Sequence, residues 1–178
     1  MYQRILVPVD GSETSGRALA TAVRMARESG PAARIRVVHV TEMASWACGY
    51  ETYGDGMEQV LAIMRDNARK ILDEAMEVAR AEGVVADQQL VDQFGERMGV
   101  AVATAAKLWN ADVVVVGTHG RRGVDRLLLG SGAEEVIRQS PVPVLVVRGP
   151  GSHPPTLVDA STASNDKSIS PRALKTAG

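Results

Sequence analysis

The chain has 178 residues, 45% of them hydrophobic, and a formal net charge of −1, enough for one ordinary globular domain with a full core. Aromatics make up only 3%, with a single Phe, so that core must be built from Val, Leu, Ile, Ala and Met. The first 149 residues carry 17 Lys and Arg against 19 Asp and Glu, and the remainder 3 against 2. Neither part is polybasic, which argues against nucleic-acid or membrane-surface partners and leaves room only for a local cationic patch. No apolar run has membrane-spanning length. The lone cysteine, Cys48, permits no internal disulfide, and no Cys/His spacing suits a metal. A strand begins almost at the first residue and leaves no room for a signal peptide, so a reducing cytoplasm is the expected setting.

In chain order, "RILVPVD" (4–10) is a short apolar run that stops at Asp-Gly and reads as a buried strand. Ser12 is placed to cap a helix carrying Ala18, Leu19, Ala22, Val23 and Ala26 at helical spacing, ended by Gly30-Pro31. "RIRVVHV" (34–40) is a second strand. Residues 41–56 have no period and read as a loop. Val60, Leu61, Met64, Ala68, Ile71, Leu72, Ala75 and Ala79 then mark a long amphipathic helix ending near Gly83. "VVADQQLV" (84–91) is a more polar strand, expected at a sheet edge. A third helix is expected near 96–110, with Ala101, Ala105, Leu108 and Trp109 facing inward. "ADVVVVGT" (111–118) is the most apolar strand, and is therefore expected to be the most central. A short helix over 131–140 stops at Ser140-Pro141, and "VPVLVVR" (142–148) is the last strand. Strands alternating with helices build a parallel sheet with helices on both faces, an α/β fold of three layers. From residue 150 to 178 Pro, Gly, Ser and Thr dominate and large aliphatics are few, so this tail is expected to be disordered beyond a domain spanning 1–149.

"GTHGRRGVDRLLLGS" (117–131) follows the apolar strand directly. In an open parallel sheet, ligands sit beyond the carboxyl ends of the strands, where the winding reverses. A loop leading from such a strand into a helix start offers free main-chain N–H groups and the positive end of the helix dipole to an anion. Gly117, Gly120 and Gly130 would let the backbone approach phosphate oxygens. Ser131 is placed to cap the next helix, Arg121, Arg122 and Arg126 to add charge-assisted contacts, and Leu127, Leu128 and Leu129 to press the loop onto the body. A tight turn would also explain glycines after a strand. Two familiar phosphate motifs do not fit. No glycine here precedes a lysine, as the Walker A loop requires. "GSGAEE" (130–135) begins like a dinucleotide fingerprint but has Glu135 where a third small residue belongs.

Gly117, Gly120 and Gly130-Ser131 reproduce the G-x2-G-x9-G-S/T spacing of the ATP-binding class of the universal stress protein family, which the chain resembles over roughly residues 2–148. "RILVPVDGSETS", "VVHV" and "SPVPVLVVR" resemble the same family in the same order. The resemblance implies an open twisted, Rossmann-like sheet of five parallel strands in the order 3-2-1-4-5. It also implies ATP, or AMP or ADP, as ligand, with any Mg2+ or Mn2+ held through the phosphates. Carried over by position, Pro8, Val9, Asp10 and Val40 fall on adenine and ribose contacts, with Asp10 bonding the sugar. Val116, Gly117, His119 and Gly120 fall on ribose and phosphate contacts, and Gly130, Ser131, Gly132 and Ala133 on positions that hold the phosphates. The family often has β-branched or hydroxyl residues where Gly132 and Ala133 stand. Main-chain contacts survive that change, a hydroxyl contact at 133 does not, and Arg121 and Arg122 are candidates to compensate.

Singly, the polar residues read more plainly. Asp10 is a natural turn residue, His119 a loop contact and not a base, His39 a packed core histidine, and Cys48 an incidental thiol. Trp46, Tyr50 and Tyr53 would serve either as a lid over the nucleotide or as a partner surface. Phosphoryl transfer needs paired metal-binding carboxylates, and Asp10 is the single candidate near the site. The expectation is therefore a stress-response sensor or adaptor acting on an unnamed protein partner. It would be a homodimer joined through the apolar edge strand 142–148, as the resemblance implies. A slow ATP hydrolase or phosphotransferase and a nucleotide-free scaffold are the alternatives.

Overall fold

The computed structural model describes residues 2–41, 54–92, 97–118 and 129–148. Cys48, the aromatics Trp46, Tyr50 and Tyr53, and the tail beyond Arg148 lie outside the described residues, so the expectations placed on them stand as sequence readings.

Five strands form one parallel sheet: β1 (Arg4–Pro8), β2 (Arg34–Val40), β3 (Val85–Val91), β4 (Val113–Gly117) and β5 (Val144–Val147). Four helices alternate with them: α1 (Glu13–Ser29), α2 (Gly54–Ala81), α3 (Met98–Trp109) and α4 (Ser131–Gln139). The strand order is β3-β2-β1-β4-β5, with every adjacent pair parallel. The expected α/β sheet of order 3-2-1-4-5 with helices on both faces is therefore the fold observed.

Alternation along each strand divides the core into two layers. Ile5, Val7 and Val9 point to the side where Ala18, Leu19 and Ala22 of α1 and Leu72 and Ala75 of α2 pack. Leu6, Val38 and Val114 point to the other, against Val102, Ala105 and Trp109 of α3 and Val136 of α4. Because both faces are covered, the inner strands are continuous apolar runs.

Three expectations are corrected. The middle strand is β1, not 111–118, since β4 lies between β1 and β5. Both are almost wholly buried, so apolarity marks an interior strand but cannot rank two of them. Leu108 is 75% exposed: the buried arc of α3 centres on Val102, Ala105 and Trp109, and Leu108 falls past its margin in the last turn. Val60 is also exposed, and full burial on α2 begins only at Ala68. A helix of 28 residues is about 42 Å long, whereas a strand of 7 spans about 23 Å. The first turns of α2 therefore overhang the carboxyl ends of the strands.

At the opposite end of the sheet, Trp109 lies against the guanidinium groups of Arg4 and Arg36, 5.3 and 5.0 Å from its ring centroid. Arg36 also makes a two-pronged pair with Asp87 at 2.6 and 2.8 Å. Asp112 accepts from the main-chain N–H groups of Gln3 and Arg4, both at 2.8 Å. These contacts tie the β1, β2 and β3 ends to the end of α3, away from the face to which the glycine loop connects.

Candidate functional site at the carboxyl ends of the strands

β1 runs into the turn Val9-Asp10-Gly11, and both main-chain groups of Val9 are committed to β2. Its N–H donates to Val38 at 2.8 Å, and its carbonyl accepts from His39 Nδ1 at 2.7 Å. A carbonyl only accepts, so Nδ1 carries the imidazole proton. His39 is buried, as expected, and it also holds the turn that carries Asp10, a role its sequence position did not suggest.

Gly11 has φ +79°, a left-handed conformation that favours glycine. The half-buried Asp10 folds back over this turn. Its Oδ1 accepts from the Ser12 N–H at 3.0 Å and from the Ser12 hydroxyl at 2.6 Å. Ser12 caps α1 as expected, accepting from the Ser15 N–H at 3.2 Å. The carboxylate is thus oriented by the same serine that starts the helix.

β4 reaches the same region beside β1. Val116 is buried, and Gly117 is the last residue of the strand. A Cβ on Gly117 would stand 2.8 Å from the Thr14 carbonyl carbon and oxygen. Gly117 is therefore needed where the first turn of α1 leans on β4. The sequence offered phosphate approach as its reason, and packing between protein segments is the reason the geometry supplies.

The glycine loop is closed at its base. Thr118 donates its N–H to Val147 at 2.9 Å, and the Gly130 N–H donates to the Thr118 carbonyl at 2.7 Å. Gly130, not Ser131, is the N-cap of α4, and no side chain caps it. Ser131 is the first helical residue, because the Glu134 N–H already bonds the Gly130 carbonyl at 3.0 Å. With the Gly130 amide committed to Thr118, the N–H groups of Ser131, Gly132 and Ala133 are left without intrahelical acceptors, as at every helix start. A glycine cap brings no side-chain oxygen to compete for them. Ser131 is exposed, Gly132 half-buried and Ala133 buried.

The structure thus gathers Pro8, Val9, Asp10, Val116, Gly117 and the 130–133 turn around the carboxyl ends of adjacent strands β1 and β4, with Val40 half-buried at the end of β2. His119, Gly120, Arg121 and Arg122, together with Arg126, Leu127 and Leu128, lie outside the described residues. Among the described residues, no group of three His, Cys, Asp or Glu stands together as a metal site. No described helix is long and apolar enough to cross a membrane.

One cluster at this end was not singled out from the sequence. Thr41 donates its hydroxyl to Asp92 Oδ1 at 3.0 Å, and Arg65 Nε reaches Asp92 Oδ2 at 2.6 Å. The Arg65 bond, more than that from Thr41, holds the Asp92 carboxyl below the usual carboxylate range despite partial burial. The cluster joins the ends of β2 and β3 to the overhanging part of α2. Single polar residues at element ends carry no period, so no sequence signal points to them.

Comparisons with known proteins bear on the family and the fold. The model of the family described as "Universal stress protein family" matches residues 1–148. A universal stress protein of Methanocaldococcus jannaschii is 30% identical over 150 residues, covering 84% of each chain. A universal stress protein solved in complex with cAMP is 28% identical, with a TM-score of 0.56, covering 83% of this chain and 97% of that one. Another, from Archaeoglobus fulgidus in complex with dAMP, is 25% identical, with a TM-score of 0.58 over 83% and 98%.

Proposed function

This chain belongs to the universal stress protein family, and from that premise we propose that it binds an adenine nucleotide, ATP in the first instance, as a regulatory module. The ligands of the relatives solved with cAMP and dAMP share an adenine base, a sugar and a phosphate, which supports this ligand class. The observation that carries the reading is the helix start at Gly130: a glycine cap with no side chain of its own, followed by three amides without intrahelical acceptors, at the carboxyl end of β4 next to the β1 end that carries Asp10. An anion there meets oriented donors and the positive end of the α4 dipole.

In this reading Pro8, Val9 and Val40 border the base and Asp10 bonds the ribose. Val116, Gly117, His119 and Gly120 border the sugar and phosphates, the amides at 131–133 hold the phosphates, and Arg121 and Arg122 add charge. Gly130 acts as the closed hinge of the loop. A divalent ion would be held through the phosphates. Two chains would join through β5, an edge strand whose Leu145 is 39% exposed.

Calorimetric titration of the full chain with ATP tests the reading. Binding that weakens at least about tenfold, roughly 1.4 kcal/mol, on Asp10→Ala is expected. No heat and no saturation at about millimolar ATP, where binding would be worth only about 4 kcal/mol, would remove it.

A further inference from the structure

We propose that Met98 and Gly99, in the first turn of α3, are positioning residues for the phosphate-holding turn of α4. The inference rests on the nucleotide reading above and assigns work to a helix that reading leaves idle.

The two helices interlock through one glycine each. A Cβ on Gly99 would lie 2.5 Å from the Cβ of Glu135, 2.6 Å from its carbonyl carbon and 2.7 Å from its carbonyl oxygen. On the other side, a Cβ on Gly132 would lie 2.8 Å from Met98 Sδ. Met98 thus sits under the second residue of α4, and the α4 backbone one turn later rests on the bare Cα of Gly99. The Glu135 carboxylate lies over the start of α3, 3.5 Å from the Gly99 main-chain nitrogen and 3.4 Å from the Arg97 guanidinium, where Arg97, as N-cap, makes no side-chain capping bond of its own. Glu135, which spoils the dinucleotide fingerprint, finds its place in this contact.

These contacts matter to the ligand because, with the Gly130 bond, they flank the first turn of α4. The Gly130 N–H ties its start to Thr118 on the β4 side, and Gly99 seats it at Glu135. The amides of Ser131, Gly132 and Ala133 lie between the two tethers. A side chain at 99 would bring its Cβ to 2.6 Å from the Glu135 carbonyl carbon, and reaching the 3.4 Å where ordinary contact begins shifts that main-chain atom by about 0.8 Å. N–H···O bonds span only about 2.7–3.2 Å, so a displacement of that size takes at least one amide out of range of a fixed phosphate oxygen. Adenine and ribose, held at β1 and β2, would not register it.

The test is calorimetric titration of the full chain with ATP and, separately, adenosine. Gly99→Ala should weaken ATP at least about tenfold, roughly 1.4 kcal/mol, and leave adenosine within about twofold, a few tenths of a kcal/mol. Met98→Ala removes the seat without a clash or a change of charge. It should weaken ATP about threefold, roughly 0.65 kcal/mol, and Met98→Leu should restore it. Leu108→Ala, exposed at the far end of α3, should change neither ligand. A folded Gly99→Ala protein with an unchanged ATP-to-adenosine ratio overturns the inference, as does an equal loss of both ligands. Should Gly99→Ala fail to fold, an unchanged ratio in Met98→Ala overturns it instead. Wild-type protein that binds neither ligand removes the nucleotide reading itself, and this inference with it.

Discussion

A methyl group on Gly117 should loosen the joint on which the site is built. The added Cβ would face the Thr14 carbonyl carbon and oxygen at 2.8 Å and the Thr14 Cβ at 3.0 Å. These are main-chain atoms and a β-carbon, with no flexible side-chain end to swing away. Reaching ordinary contact at 3.4 Å moves the first turn of α1 off β4 by about 0.6 Å. Overpacking of that kind costs about 1–3 kcal/mol; near the middle of that range, the midpoint of a domain this size falls by roughly 4–8 °C. Gly16 supplies the control. It lies in the same helix two residues beyond Thr14, and a Cβ there meets nothing within 4 Å. Gly16→Ala should stabilise by about 0.5–1 kcal/mol, since glycine costs that much relative to alanine inside a helix. Urea and thermal unfolding of both variants, followed by circular dichroism, should show shifts of opposite sign. ATP affinity should fall only in Gly117→Ala, because Thr14 and the Asp10–Ser12 turn move together. Equal stability of Gly117→Ala and wild type would refute the packing argument, as would a loss in Gly16→Ala as large as that in Gly117→Ala.

Other expectations follow from single contacts. Arg65→Ala should lower stability by an amount that is constant above about pH 5 and shrinks at lower pH. The Asp92 carboxyl is depressed in the folded state, so its contribution is present above the unfolded value of about 3.9 and is lost as pH falls through the folded value. Urea melts at several pH values check this, and a gap that widens on acidification would count against it. Trp109→Ala should cost about 3–5 kcal/mol, because it empties a buried site and strips both guanidiniums of their ring. A loss below about 1 kcal/mol, typical of a surface change, would contradict that. Leu145→Lys on β5 should convert a dimer to monomers in sedimentation, and a dimer that persists would place the joint elsewhere.

Much of this architecture was legible because strands and helices write different periods. β2 was read at its observed limits, and the start of α1 followed from Ser12, whose cap is local chemistry. What escaped depends on neighbours distant in sequence. Leu108 lies at helical spacing with Ala101, yet where a sheet stops covering a helix is not written in the helix. The apolar run 111–118 announced burial on two faces, which β1 shares, so it could not identify the middle strand. At the candidate site the helix begins at Ser131, where the sequence placed it. Gly117 and Gly99 nevertheless owe their identity to Thr14 and Glu135, contacts between segments that no local pattern encodes. The cap of α4 lies one residue earlier than expected, at Gly130 in place of Ser131, and with it shifts the set of amides without intrahelical acceptors.

The central claim is that main-chain amides at one helix start hold a phosphate chain. The most direct measurement follows the backbone amide resonances of the 15N-labelled chain during titration with ATP and then with adenosine. Large, saturable shifts at Ser131, Gly132 and Ala133 with ATP, and small ones with adenosine, are predicted. ATP that binds while those three amides stay unmoved would contradict the account.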